Sequence, residues 1–111
     1  MQDLQNEMQQ KIADLTQSVK LLRKNGTAYA EAEKTYKILL RQECLKLRDE
    51  GMAIGMIDKT CYGIPSVAEA RFNRDVAEAI YKANQEHINS VKLQLRLIEN
   101  QINREYGNVR D

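Results

Sequence analysis

The chain has no tryptophan, one phenylalanine, one proline and one histidine, and only two cysteines among its 111 residues. Each scarcity excludes something. A single histidine cannot build a histidine-rich metal centre. Two cysteines, Cys44 and Cys61, are too few for a disulfide scaffold or a cysteine zinc site. No stretch approaches ~18 apolar residues free of charge, so no membrane span is expected. The start, Met1-Gln2-Asp3-Leu4-Gln5-Asn6-Glu7, has no basic or apolar signal region, so secretion is not expected and a reduced cytoplasm is. Neither charge sign dominates: 17 basic and 16 acidic side chains give a net charge of +1. A strong electrostatic footprint for nucleic acid is therefore missing from the composition.

What is present is a chain that is 42% hydrophobic and 30% charged, enough for one small folded domain rather than a disordered one. The five glycines (26, 51, 55, 63 and 107) and Pro65 fall outside residues 1–25, 27–50 and 66–106. Because these residues break helices, the punctuation predicts an all-α protein of three helices with one irregular connector.

Helix 1 is expected over about residues 2–24. Met1, Leu4, Met8, Ile12, Leu15, Val19 and Leu22 step by three and four, the spacing of a coiled-coil seam. Asn25-Gly26 reads as its C-terminal turn and Thr27 as the next N-cap. Helix 2 is expected over about 28–50, with Glu33 and Lys37 paired at i,i+4 and Gly51 as its stop. The connector 51–65 holds Met52, Ile54, Met56, Ile57, Tyr62 and Ile64, too apolar for a solvated linker. It reads either as a segment packed across a bundle end or as a docking loop, with a weak hairpin signal at Asp58-Lys59. Helix 3 is expected over about 67–106, roughly 60 Å long. Ser66 and Glu69 read as a capping box, and Gly107 is the expected breaker. Its apolar face runs Phe72, Val76, Ala79, Ile80, Ala83, His87, Ile88, Val91, Leu95, Ile98 and Ile102. Helices 1 and 2, joined by two or three residues, should form an antiparallel hairpin packed on helix 3.

Chemistry is hard to find in this pattern. There is no glycine-rich phosphate loop, no Ser/His/Asp set and no His-Glu metal motif. His87 lies on an apolar face and reads as a packed or interface residue. Cys44 reads as a small core residue and Cys61 as an exposed one. The carboxylate pairs sit among basic neighbours and lack a pocket to separate their pKa values. No catalytic residue, cofactor or metal ligand is assigned, and an enzyme is not expected.

The seams and the apolar connector predict self-association and a protein partner. The candidate contacts are Met52, Ile54, Met56, Ile57 and Tyr62 in the connector, and Met8, Ile12, Leu15 and Val19 on helix 1. An alternative is a nucleic-acid-binding dimer using Lys92, Arg96 and Arg104, although Glu99 and Glu105 interrupt that series. A further alternative is a small virion assembly component.

Three stretches carry a resemblance. They are Leu45-Lys-Leu-Arg-Asp-Glu-Gly51, Ala68-Glu-Ala-Arg-Phe-Asn-Arg-Asp-Val-Ala-Glu-Ala-Ile-Tyr-Lys-Ala83, and Ser90-Val-Lys-Leu-Gln-Leu-Arg-Leu-Ile-Glu-Asn-Gln-Ile102 continuing to Glu105. Over roughly residues 35–106 the chain resembles small, uncharacterised helical proteins encoded by phages and prophages of Gram-positive bacteria. The resemblance implies a phage gene acting in the bacterial host cytoplasm. It implies no activity. In that setting the expected partner is a phage replication or recombination protein, or a host protein such as a defence nuclease, inhibited by occlusion of a site or by locking of a conformation.

Overall fold

In a computed structural model, the structure describes residues 2–110, and side chains through residue 107. The described residues are 93% helical, with no strand among them, which establishes the all-α class. The three helices are α1 (Gln2–Asp49), α2 (Ile54–Cys61) and α3 (Pro65–Arg110). The chain divides into two compact units. One comprises Met1–Lys24 with Lys82–Asp111, and the other comprises Asn25–Tyr81.

The helix count matches the expectation, but the helices are divided differently. Expected helices 1 and 2 are one helix, α1, so they form no hairpin with each other. Gly26 lies inside it. A glycine in a helix interior costs only about 1 kcal/mol. Here a Cβ on Gly26 would stand 3.1 Å from Cε1 of Tyr81, so the missing side chain lets that ring lie close against the backbone. Gly51 does end α1. It sits at φ +90°, with its N–H donating to the Arg48 carbonyl at 3.0 Å and the Met52 N–H to the Leu47 carbonyl at 3.1 Å. That bond pair is a Schellman motif, which needs a left-handed residue where glycine has no Cβ penalty.

The connector is also helical in its middle. α2 replaces the irregular stretch and the hairpin signal at Asp58-Lys59. Its first N–H bonds run from Met56 and Ile57 to the Ala53 carbonyl at 2.9 and 3.2 Å. Ile57 and Cys61, four residues apart, form its buried face. α3 begins two residues earlier than expected. Pro65 is its first residue, where a missing N–H costs nothing, and the Ala68 N–H donates to the Ile64 carbonyl at 2.9 Å. Ser66 is thus inside the helix rather than its cap. Gly107 does not stop α3, which continues to Arg110.

In each unit α1 pairs with an antiparallel α3. In the unit of residues 25–81, Tyr29 meets Tyr81 (ring centroids 6.1 Å apart) and Tyr36 lies beneath Arg74. Tyr36, Val67 and Ala70 form the core there, with Leu39, Leu40 and Ile64 packed on it. In the other unit Ile88, Val91 and Ile98 are buried. The buried and half-buried positions of α3 include residues 67, 70, 74, 77, 81, 84, 88, 91, 95, 98 and 102, an unbroken alternation of three and four. The expected face holds from Ile88 onward. Before that point it is wrong: Phe72, Val76, Ala79, Ile80 and Ala83 are exposed, and Val67, Ala70, Arg74, Ala77 and Tyr81 face inward instead. Arg74 can do so because its guanidinium lies 4.6 Å from the Tyr36 ring centroid and bonds Asp75 at 2.8 Å, which keeps the charge paired.

Candidate functional site

Two open grooves lie within the unit of residues 25–81. The first, about 300 Å³, runs between α1 and α2 and is lined by Arg41, Cys44, Leu45, Arg48, Ile54, Ile57 and Asp58. On α1, residues 41, 44, 45 and 48 share one face at helical spacing. α2 supplies the opposite wall because the Gly51 turn ends α1 and returns the chain beside it. The second groove, about 390 Å³, is lined by Ala32, Thr35, Leu39, Ser66, Glu69, Ala70 and Asn73. Its small side chains leave a shallow depression between α1 and α3.

The interaction residues expected from the sequence divide sharply. Ile54 is 79% exposed, and Met56 and Tyr62 are also exposed. Tyr62 lies under the Arg71 guanidinium, 5.6 Å from the ring centroid. Met52 is half-buried. Ile57 is buried, because it shares the inner face of α2 with Cys61. On α1, Ile12 and Val19 are exposed, while Met8 and Leu15 are half-buried. The expected seam is therefore two stripes, of which Met8 and Leu15 belong to the inward one. Lys92, Arg96 and Arg104 are all exposed on α3, with the exposed Leu93 and Leu97 beside the first two.

Sequence reasoning missed a polar layer between α1 and α3. Ser18 is buried. Its Oγ donates to Asp14 Oδ1 at 3.5 Å, and its carbonyl accepts from Asn84 Nδ2 at 3.1 Å. His87 Nε2 lies 3.1 Å from the same Asp14 oxygen. His87 is therefore not packed as expected. It is about half exposed and bridges α3 to α1 through a carboxylate. A polar contact so open to water is worth about 1 kcal/mol at most. Among the described residues, no group of three His, Cys, Asp or Glu side chains could hold a metal.

The two cysteines reverse their expected roles. Cys61 is 1% exposed and its Sγ donates to the Asp58 carbonyl at 4.0 Å. Cys44 is half-buried at the groove. Both are free thiols. A hydrogen bond with Cys61 holds the Cys44 thiol above its ordinary value of 9.0, and burial and the charges of Cys61 and Asp58 push it the same way. A raised thiol favours its protonated form in the fold. Its stabilisation is complete below the unfolded value near 9.0 and is lost as pH rises through the folded one. Reaction of Cys44 with Ellman's reagent at mildly alkaline pH should therefore be slower than in the unfolded chain. Cys61→Ala should speed it several-fold, and an unchanged rate would remove the hydrogen bond as the cause.

These features define a class of protein: all-α, with long helices paired antiparallel, apolar side chains left in solvent, and a groove beside the short helix α2. No helix is long and apolar enough to cross a membrane among the described residues. Compared with protein-family models, with curated proteins and with solved structures, the chain matches none of them.

Proposed function

We propose that the chain is a non-catalytic protein–protein interaction module of the phage-encoded kind, an adaptor or inhibitor acting in a bacterial cytoplasm on a host defence nuclease or a DNA-metabolism protein. One observation carries this reading: large apolar side chains stand in water at helical spacing. Phe72 is 66% exposed and shares its stripe with the exposed Val76 and Ile80, while Ile54 and Met56 project from α2. Water-exposed apolar side chains grouped on one face mark surfaces that bind partners. Occlusion of a partner's site would require no catalytic group. Alanine at 79 and 83 flattens the α3 stripe, and small residues let a second helix approach closely.

The experiment is a tagged pull-down from a Gram-positive host lysate, with and without nuclease, read by mass spectrometry. It compares the wild type with two variants, Ile54→Asp/Met56→Asp and Phe72→Asp/Ile80→Asp. The expected result is a protein captured in both nuclease conditions and lost from at least one variant. Capture that needs nucleic acid, or that survives both variants unchanged, overturns the proposal. The substituted residues are exposed, so each variant should keep its helicity by circular dichroism and its melting temperature within a few degrees.

A further inference from the structure

We infer that the groove between α1 and α2 receives an acidic amphipathic segment of a partner protein, apolar side chains inward and carboxylates against Arg41 and Arg48; this rests on the interaction reading above.

The groove is apolar along its length and basic at its edges. Ile57 is buried at the bottom, and Leu45 and Ile54 stand exposed on opposite walls. A volume of about 300 Å³ lies at the low end for drug-sized ligands, which suits a few side chains of a peptide. Arg41 and Arg48 line the same groove and are exposed. Neither guanidinium has a hydrogen-bond or ion-pair partner among the described residues, whereas Arg74 is committed to Asp75. Seven residues apart on one helix, the two lie about 10 Å apart along its axis. That span matches two carboxylates two turns apart on a docked helix.

The charge balance selects the partner's sign. From Lys34 to Arg48, α1 carries five basic side chains and one acidic, Glu43. Within the lining, two guanidiniums face one carboxylate, Asp58. An acidic segment gains at both ends of the groove, and a single basic or polar residue in it would meet Asp58. A basic segment would meet two unpaired guanidiniums. A nucleic-acid strand would find the basic edges but no aromatic side chain in the lining on which a base could stack. The apolar walls then favour protein.

The test selects short random peptides displayed on yeast against the full-length protein, then measures selected peptides by fluorescence anisotropy against the wild type, Arg41→Glu/Arg48→Glu and Ile54→Asp. The expected peptides carry net negative charge and apolar residues at i and i+4. Their affinity should fall by about tenfold or more in the double charge reversal, fall again with Ile54→Asp, and weaken as salt rises. The charge-reversal variant keeps every apolar contact, so loss of binding there cannot be attributed to a lost core. Selected peptides that are neutral or basic, or that bind the charge reversal equally, overturn the inference. So does no selection above background, binding of a single-stranded oligonucleotide that competes with the peptides, or self-association abolished by the same variants. Peptides lost only in Phe72→Asp/Ile80→Asp would overturn this site while leaving the interaction module in place.

Discussion

Replacing Val67 by aspartate will unfold the unit of residues 25–81. Val67 is fully buried and packs with Tyr36 and Ala70, and Leu39, Leu40 and Ile64 close the cluster. No member of that cluster other than the Tyr36 hydroxyl brings a polar side-chain atom. Arg74, the cation that lies over Tyr36, already bonds Asp75. A carboxylate at 67 would be buried without a partner, which costs about 4 kcal/mol or more. The whole stability of a small domain is roughly 5–15 kcal/mol. Val67→Ala, which removes two methyl groups and leaves a small void, should cost about 2 kcal/mol instead. Amide hydrogen exchange checks both. In Val67→Asp, protection across 25–81 should fall to the level of an unfolded chain, and in Val67→Ala it should fall by a graded amount. Retained protection in the aspartate variant would mean that Val67 is not at the core.

Most of the helical content was legible in the sequence, and its breaks were the weak point. Gly51 and Gly26 look alike on paper, each following a helical stretch. Gly51 ends a helix because the chain there adopts a left-handed residue and two backbone bonds hold it. Gly26 continues one because its bare face meets Tyr81. A single sequence cannot show which of these a glycine will do, since the second depends on a residue 55 positions away. A better signal was available: the inward positions of α1 recur at 4, 11, 18, 25, 32 and 39, and at 8, 15, 22, 29 and 36, across Gly26 without a break. It was hidden because Lys11, Ser18 and Asn25 occupy one of the two seam positions in three successive heptads. Polar residues at such positions are known to specify register at a cost in stability.

The same effect misdirected helix 3. Phe72, Val76 and Ile80 outrank Ala70, Arg74 and Ala77 in hydrophobicity, so hydrophobic spacing selected the wrong face. The inward face is set by neighbours: Tyr36 offers Arg74 a ring, and Val67 and Ala70 complete the cluster. The misread stripe is what the interaction proposal now rests on. Local charge was similarly averaged away. Residues 27–50 balance five basic against five acidic side chains, yet Glu43 is the one acidic residue between Lys34 and Arg48, and Arg41 and Arg48 stand unpaired at the groove. The groove itself could not be read, because it requires α2 to fold where the sequence suggested an irregular strand of chain.

Gly26→Leu will destabilise the protein, and deleting a second side chain will reverse the sign. A Cβ at position 26 would lie 3.1 Å from Tyr81 Cε1 and 3.6 Å from its Cδ1 and Cζ. A single carbon at that distance requires the ring to give by a few tenths of an ångström. A full leucine must displace it, and the ring is held by its tilted contact with Tyr29. Overpacking of this kind costs about 1–3 kcal/mol. Against it stands the helix propensity that leucine offers over glycine, up to about 1 kcal/mol in a helix interior. In the wild type the steric cost wins, and thermal melting should fall by several degrees. In a Tyr81→Ala background the obstacle is gone and only the propensity remains, so the same Gly26→Leu change should raise stability. The two measurements form a double-mutant cycle whose coupling should be about 2 kcal/mol, within the range for residues in contact. Gly26→Ala should fall between them, near neutral in the wild type. If Gly26→Leu destabilises equally in both backgrounds, the glycine is required by the backbone itself and not by the ring, and the helix should then be sought as two segments, as its sequence first suggests.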